Sequence, residues 1–191
     1  MKNLAIFGSG SGSNAENICL YFKHSKIARV SLICSNKVEA YIAKRAERLG
    51  VEFISFEKKI FESGLEVIAV LKKHSIDYII LAGFLLKVPK NIISLYSQKI
   101  INIHPSLLPK YGGKGMYGDN VHQEVLLNQE SRSGITIHFV DDKYDQGKII
   151  FQKSIAVNSS DDINSLKKKV SELERLYFPK TIEKLILKEC Q

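Results

Sequence analysis

Tryptophan is absent from this 191-residue chain, and cysteine, proline and long apolar runs are scarce. The three cysteines, Cys19, Cys34 and Cys190, have no CxxC or zinc-type spacing, which favours free thiols in a reducing compartment over a disulfide scaffold. No apolar run approaches the roughly 18 residues that a membrane span needs, and the first residues lack the apolar core of a signal peptide. These absences predict a cytoplasmic protein with no membrane partner.

Arginine is also scarce, and this changes how the net charge is interpreted. The formal charge of +8 and the isoelectric point near 9.3 would suit a nucleic-acid partner. However, only five of the 28 basic residues are arginines, whereas proteins that read bases rely on arginine forks. We therefore expect no nucleic-acid partner, and attraction of a small anionic substrate accounts for the charge at least as well.

Strand and helix patterns alternate through the first hundred residues. Strands are predicted over 4–7, 30–34, 51–55, 78–82 and 99–103, and helices over 15–22, 38–49 and 65–73, the second helix ending before Gly50. Such alternation is typical of a mostly parallel sheet covered by helices. The sequence thus predicts an α/β fold.

The second half of the chain has a different pattern. A short helix over 121–127 precedes two alternating runs, 135–140 and 149–157, which predict an antiparallel pair added to the parallel sheet. Asp161 and Asp162 can cap a long helix, in which Pro179 is expected to cause a kink or an interruption. No linker or repeat divides the chain, so one domain over 1–191 is predicted.

A glycine-rich loop, Gly8-Ser-Gly-Ser-Gly-Ser-Asn14, joins the first predicted strand to the first helix. Backbone N–H groups at such a helix end bind phosphate. Ser13 replaces the third glycine of the dinucleotide fingerprint, and Ser35-Asn36-Lys37 stands where a ribose-binding acid is expected, so NAD is disfavoured. The alternative is a simple turn in which Ser13 or Asn14 caps the helix.

A second glycine-rich segment, Gly112-Gly113-Lys114-Gly115, also resembles a phosphate-binding loop. It does not fit the P-loop pattern, because Leu108 replaces the first glycine and neither Gly115 nor Met116, which follow Lys114, is the required serine or threonine.

Polar side chains at the end of the fifth predicted strand indicate catalysis. Asn102 and His104 flank Ile103, so strand alternation places both polar side chains on the same face. Asp145, in the connection between the antiparallel strands, can reach the same place. This set suits direct attack of an amine on an activated carbonyl, with Asn102 donating to the oxyanion and His104, its pKa raised by Asp145, donating a proton. The alternatives are a structural His–Asp pair and a metal site of His104, His138 and Asp145.

These motifs together resemble a known family. The segment Asn-Ile-His-Pro-Ser-Leu-Leu-Pro over 102–109, the later His138 with Asp145-x-Gly147, and the Gly-Ser-Asn loop are similar to those of the phosphoribosylglycinamide formyltransferases. The resemblance covers essentially the whole chain. It implies a Rossmann-like formyltransferase fold with helices on both faces of the sheet. It also implies formyl transfer from the cosubstrate 10-formyltetrahydrofolate to the amine of 5-phosphoribosylglycinamide (GAR) in purine biosynthesis, without a metal.

The resemblance implies a role for each matching position. The catalytic residues would be His104, Asn102 and Asp145; the GAR-binding residues Gly12, Ser13, Asn14, Ser171 and Glu174; and the folate-binding residues Leu85, Leu86, Lys87, Val88, Asn102, Val140, Asp141 and Asp142. Residues 1–100 would form the phosphate-binding half and residues 101–191 the catalytic and folate-binding half. Two departures are Leu86, where many relatives carry arginine, and the long glycine-rich stretch over 111–120.

Three alternatives stay open at this point. Relatives with the same Asn-His-Asp set act on methionyl-tRNA or hydrolyse formyl-folate, but both usually carry a further domain for which we expect no room in 191 residues. A phosphate-ligand-binding module without catalysis is the third. The expected partners are GAR and formyl-folate, and the expected assembly is a monomer or a homodimer.

Overall fold

A central sheet of seven strands organises the chain in a computed structural model that describes residues 1–189. The strands are β1 (Lys2–Phe7), β2 (Ala28–Ser35), β3 (Phe53–Ser55), β4 (Tyr78–Leu81), β5 (Ile100–His104), β6 (Arg132–Phe139) and β7 (Ile149–Ala156). Their order is β3-β2-β1-β4-β5-β6-β7, with parallel pairing from β3 to β5 and antiparallel pairing from β5 to β7. The predicted mostly parallel sheet with an antiparallel C-terminal pair is confirmed.

Helices cover both faces of this sheet. They are α1 (Ser13–Phe22), α2 (Tyr41–Leu49), α3 (Lys58–Ser63), α4 (Leu65–Lys73), α5 (Lys90–Leu95), α6 (Asp119–Leu127) and α7 (Ile163–Glu189). One hydrophobic core lies between the sheet and α1, α2, α6 and α7, and a second lies between the sheet and α3, α4 and α5. Because both faces are buried, the central strands consist almost entirely of apolar residues.

The strand order brings three loops to one edge of the sheet. The order changes direction between β1 and β4, and in open α/β sheets ligands bind at such a switch, beside the carboxyl ends of the strands. The glycine-rich loop follows β1, residues 82–89 follow β4, and His104 ends β5. The topology therefore collects the predicted phosphate loop and the predicted catalytic side chains at the same place.

The main differences from the sequence prediction concern short elements. The helices α3 and α5 have six residues each, too few for a helical period to show in the sequence, and neither was predicted. Helix α2 begins at Tyr41 instead of residue 38, but it ends at Gly50 with a left-handed φ of 66°, as expected. The cap of the last helix is also confirmed, since Asp162 Oδ1 accepts a hydrogen bond from Ser165 N at 2.7 Å.

The expected interruption at Pro179 is wrong, because α7 runs through it from Ile163 to Glu189, whereas the expected kink stays a prediction. A proline has no N–H to donate to the carbonyl four residues earlier, which here belongs to Arg175. The side chain of Asn17 on α1 donates to that carbonyl instead, with Nδ2 at 2.8 Å from the oxygen. A side chain from a neighbouring helix thus supplies the missing hydrogen bond.

The cysteines in the described residues fit the expectation of free thiols. Cys19 and Cys34 are buried and unpaired. Burial raises the pKa of Cys19 to about 12 and raises that of Cys34 as well, so both stay protonated and unreactive at neutral pH. Cys190 lies outside the described residues. Of the helices within residues 1–189, none has both the length and the apolar character to cross a membrane.

Replacing Asn17 with alanine should destabilise the protein by about 0.5–1.5 kcal/mol, because the Arg175 carbonyl loses its donor. Urea unfolding measures this loss. In a Pro179→Ala background the alanine N–H can donate to that carbonyl, so the same Asn17→Ala change should cost less. An equal cost in both backgrounds would contradict the role assigned to Asn17.

Candidate active site

Two adjoining cavities lie at the carboxyl edge of the sheet. The larger, about 640 Å³, is lined by the glycine-rich loop, the ends of β4 and β5, residues 113–118 and one face of α7. The smaller, about 80 Å³, lies between residues 84–88 and 140–145. Asn102 and Asp145 line both cavities and therefore lie where the two meet, whereas His104 lines the larger cavity only.

Asn102 and His104 are held by hydrogen bonds at the end of β5. The Nδ1 atom of His138 lies 2.8 Å from the Phe139 carbonyl, which can only accept, so the neutral ring carries its proton on Nδ1. Its bare Nε2 then accepts from Asn102 Nδ2 at 3.1 Å. By the same reasoning the buried His104 carries a proton on Nε2, which donates to the Tyr111 carbonyl at 2.7 Å.

Asp145 connects this pair of histidines to the glycine-rich segment. Its Oδ2 lies 3.6 Å from His104 Nδ1 and accepts a hydrogen bond from Gly113 N at 2.8 Å, while its Oδ1 lies 3.7 Å from His138 Nε2. The backbone of Asp145 is left-handed, with φ of 56°, a conformation that aspartate and asparagine tolerate better than most residues. The predicted approach of Asp145 to His104 therefore exists. The side chains of residues 1–189 hold no group of three or more His, Cys, Asp or Glu arranged to bind a metal ion.

Asp145 acts on the pKa of His104 in the expected direction, upward, but the net shift is downward. Burial lowers the pKa of His104 below its usual 6.5, and the nearby carboxylate of Asp145 only partly offsets this effect. For Asp145, burial alone would raise the pKa, but the positive charge that His138 and His104 carry when protonated and the hydrogen bond from Gly113 N outweigh burial and lower it. At neutral pH the site therefore pairs a neutral imidazole with an ionised carboxylate.

The N-terminus of α1 is open toward the larger cavity. Gly12 is the N-cap residue with φ of 75°, and no side chain caps the helix, so the alternative in which Ser13 or Asn14 serves as the cap is wrong. Backbone N–H groups of the first helical turn stay free for an anion. Gly12, Ser13 and Asn14 all line the cavity, so phosphate binding by this loop stays a prediction that is compatible with the structure.

Glu174 faces the same cavity from α7. It is half-buried beside Ser171, and its Oε2 accepts a hydrogen bond from Asn14 Nδ2 at 2.9 Å. Burial raises the pKa of Glu174, and the Asn14 contact opposes this rise. From its residue type alone, Glu174 is predicted to be a solvent-exposed residue of the helix. The sequence feature that could have indicated its position is the spacing of four residues from Val170, which places Glu174 on the buried face of the helix.

The smaller cavity gathers most of the residues expected to bind folate. Six of the eight line it: Leu86, Lys87, Val88, Asn102, Val140 and Asp141. Leu85 lines the larger cavity instead, and the exposed Asp142 lines neither. Both cavities take residues from each half of the chain.

Comparison with known proteins identifies the family of this chain. Residues 2–182 match the family described as formyl transferase. The chain belongs to the formyl transferase family. It is 34% identical over 191 residues to the phosphoribosylglycinamide formyltransferase of Bacillus subtilis, covering 97% of this chain and 95% of that protein. Among solved structures, the phosphoribosylglycinamide formyltransferase from Bacillus halodurans superposes with a TM-score of 0.89 at 32% identity, covering 97% of this chain and 95% of that one.

Plant members of the formyl transferase family are longer than this chain. The chloroplastic phosphoribosylglycinamide formyltransferases of Vigna unguiculata and Arabidopsis thaliana are 37% and 38% identical to it. The matched segments cover 96% and 92% of this chain but only 61% and 63% of those two proteins.

Gly12→Ala should destabilise the protein and weaken anion binding, whereas Gly10→Ala should do neither. A Cβ on Gly12 would lie 2.6 Å from Ile42 Cγ1 and would add strain at a positive φ, whereas a Cβ on Gly10 meets nothing within 4 Å. We expect a loss of about 1–3 kcal/mol in urea unfolding for the first variant only. Equal stability of the two variants would contradict the tight packing of Gly12 on α2.

Proposed function

We propose that this chain transfers the formyl group of 10-formyltetrahydrofolate to the amine of GAR. The observation that carries the proposal is the placement of Asn102 and Asp145 where two cavities meet, with His104 lining the larger one, which also contains an open helix N-terminus. Two substrates can then approach the same side chains from opposite sides. The names of the B. subtilis and plant relatives give the substrate.

GAR is assigned to the larger cavity. Its phosphate is placed at the N-terminus of α1, where Gly12, Ser13 and Asn14 expose backbone N–H groups to an anion. Its ribose hydroxyls are placed against Glu174 and Ser171 on α7, since a carboxylate held by Asn14 can accept from a vicinal diol. This arrangement points the glycinamide amine toward His104.

The formyl-folate is assigned to the smaller cavity. Its walls combine apolar side chains, including Leu86 and Val140, with the polar Asn102 and Asp145 at the end that meets the larger cavity. Without the arginine common in relatives at position 86, side-chain recognition there is apolar, and backbone groups of residues 85–88 and 140–142 hold the pterin. The exposed Asp142 stays in this assignment as a rim residue.

The proposed reaction begins with attack of the neutral amine on the formyl carbon. A C–N bond forms, and the carbonyl oxygen becomes an oxyanion that accepts from Asn102 Nδ2, an interaction worth about 3 kcal/mol in comparable sites. Neutral His104 can take the proton of the attacking amine and return it to the folate nitrogen as the bond from that nitrogen to the formyl carbon breaks. Asp145 stabilises the transient imidazolium.

The proposed reaction uses two small molecules and calls for no metal, membrane or nucleic acid. Its cosubstrate is 10-formyltetrahydrofolate, and the chain acts as one unit over 1–191, since both halves line each cavity. Location in the cytoplasm and assembly as a monomer or a homodimer stay predictions.

The test supplies 10-formyltetrahydrofolate with GAR, with charged initiator tRNA, or with no acceptor, and follows loss of the formyl group. The proposal predicts loss with GAR alone. Loss without an acceptor would indicate a hydrolase, loss only with tRNA would indicate the tRNA-directed reaction, and no loss would favour a binding module; each of these three results would contradict the proposal.

His104→Ala should lower kcat by about 10²–10⁴ while GAR still binds, because the proton carrier is lost and the phosphate and ribose contacts remain. The exposed His24, which lines neither cavity, supplies the matched control His24→Ala. Equal turnover in the two variants would remove His104 from the reaction.

A further inference from the structure

The second glycine-rich segment has no task in the proposed reaction, although it borders the larger cavity. Gly113, Lys114 and Gly115 all line that cavity, as does the loop that precedes α1. Lys114 is exposed, and among residues 1–189 no carboxylate forms an ion pair with it. An ammonium group that lines the larger cavity therefore has no ion-pair partner among the described residues.

The backbone presents this lysine at the tip of a tight turn. Met116 N donates to the Gly113 carbonyl at 3.1 Å, and Gly115 has φ of 90°, which together fit a type II turn with Lys114 and Gly115 at its centre. Gly115 is required there because side chains rarely adopt that φ. The same Gly113 donates its N–H to Asp145 Oδ2, so the position of the turn is fixed by the proposed catalytic carboxylate.

The charges lining the larger cavity leave a phosphate without a counter-charge unless Lys114 supplies it. The lining contains two carboxylates, Asp145 and Glu174, and two ammonium groups, Lys114 and Lys167. Lys167 is already neutralised by Asp119, with Nζ 2.7 Å from Oδ1. Lys114 is therefore the one unpaired ammonium group among the described residues that line this cavity, and without it a phosphate dianion would meet no free positive side chain there.

We propose that Lys114 binds the phosphate of the phosphorylated substrate, completing the site that the N-terminus of α1 begins. This inference rests on the proposed function only in taking the substrate to be phosphorylated. The acidic tail of a folate is the other available anion, but the smaller cavity has two lysines of its own, Lys87 and Lys143. Lys114 lines only the larger cavity. The phosphate is therefore the anion that Lys114 is placed to bind.

The test measures binding of ribose 5-phosphate by calorimetry and steady-state kinetics with GAR and formyl-folate. Lys114→Met should raise the Kd for ribose 5-phosphate and the KM for GAR about tenfold or more, since a charge-assisted contact is lost. Lys114→Arg should stay within about threefold of the unmodified protein, because it keeps the charge. The KM for formyl-folate should not change, and Lys168→Met on the exposed face of α7 is the matched control.

Each other result overturns part of the account. An unchanged Kd for ribose 5-phosphate in Lys114→Met, or no binding by the unmodified protein, would overturn the phosphate assignment. A raised KM for formyl-folate alone would assign Lys114 to the folate tail instead. If the chain does not formylate GAR but Lys114→Met still weakens the binding of ribose 5-phosphate, the phosphate site is supported and the proposed function is contradicted.

Discussion

The Asp145 carboxylate is the group on which the site depends. It lies 3.6 Å from His104 Nδ1 and 3.7 Å from His138 Nε2, and it accepts the Gly113 N–H at 2.8 Å. The Gly113 N–H and the positive charge that either histidine gains on protonation favour the ionised carboxylate despite burial, and its charge in turn opposes the lowering of the His104 pKa. One side chain thus sets the electrostatics at the end of β5 and fixes the turn that carries Lys114.

The sheet makes this arrangement possible by separating what holds the fold from what performs the reaction. The strands β1, β4 and β5 are covered on both faces by the apolar sides of helices, so their carboxyl ends are rigid supports. The side chains and loops that follow them face the cavities. The long helix α7 contributes to both roles, since it packs on the sheet through Val170 and Phe178 and brings Glu174 to Asn14.

Much of this could be predicted from the sequence because it depends on local pattern. Alternation at a strand end placed Asn102 and His104 together, and the glycine loop before a helix predicted an open N-terminus. The rest depends on contacts between distant residues. Asn17, 158 positions from Arg175, compensates for Pro179. The direction of the His104 pKa shift depends on burial by segments that the local sequence does not reveal. The assignment of Glu174 to the binding site came from the family resemblance, because a glutamate on a helix is by its residue type expected to face solvent.

The most direct test of the central claim is an NMR titration of the His104 imidazole in the unmodified protein and in Asp145→Asn, which keeps the shape and tolerates the same φ. Because burial lowers this pKa and Asp145 raises it, the account predicts a pKa below 6.5 in the unmodified protein and a lower one in the variant. Asp142→Asn, in the same connection but outside both cavities, should leave it unchanged. A His104 pKa that stays the same or rises in Asp145→Asn would contradict the account.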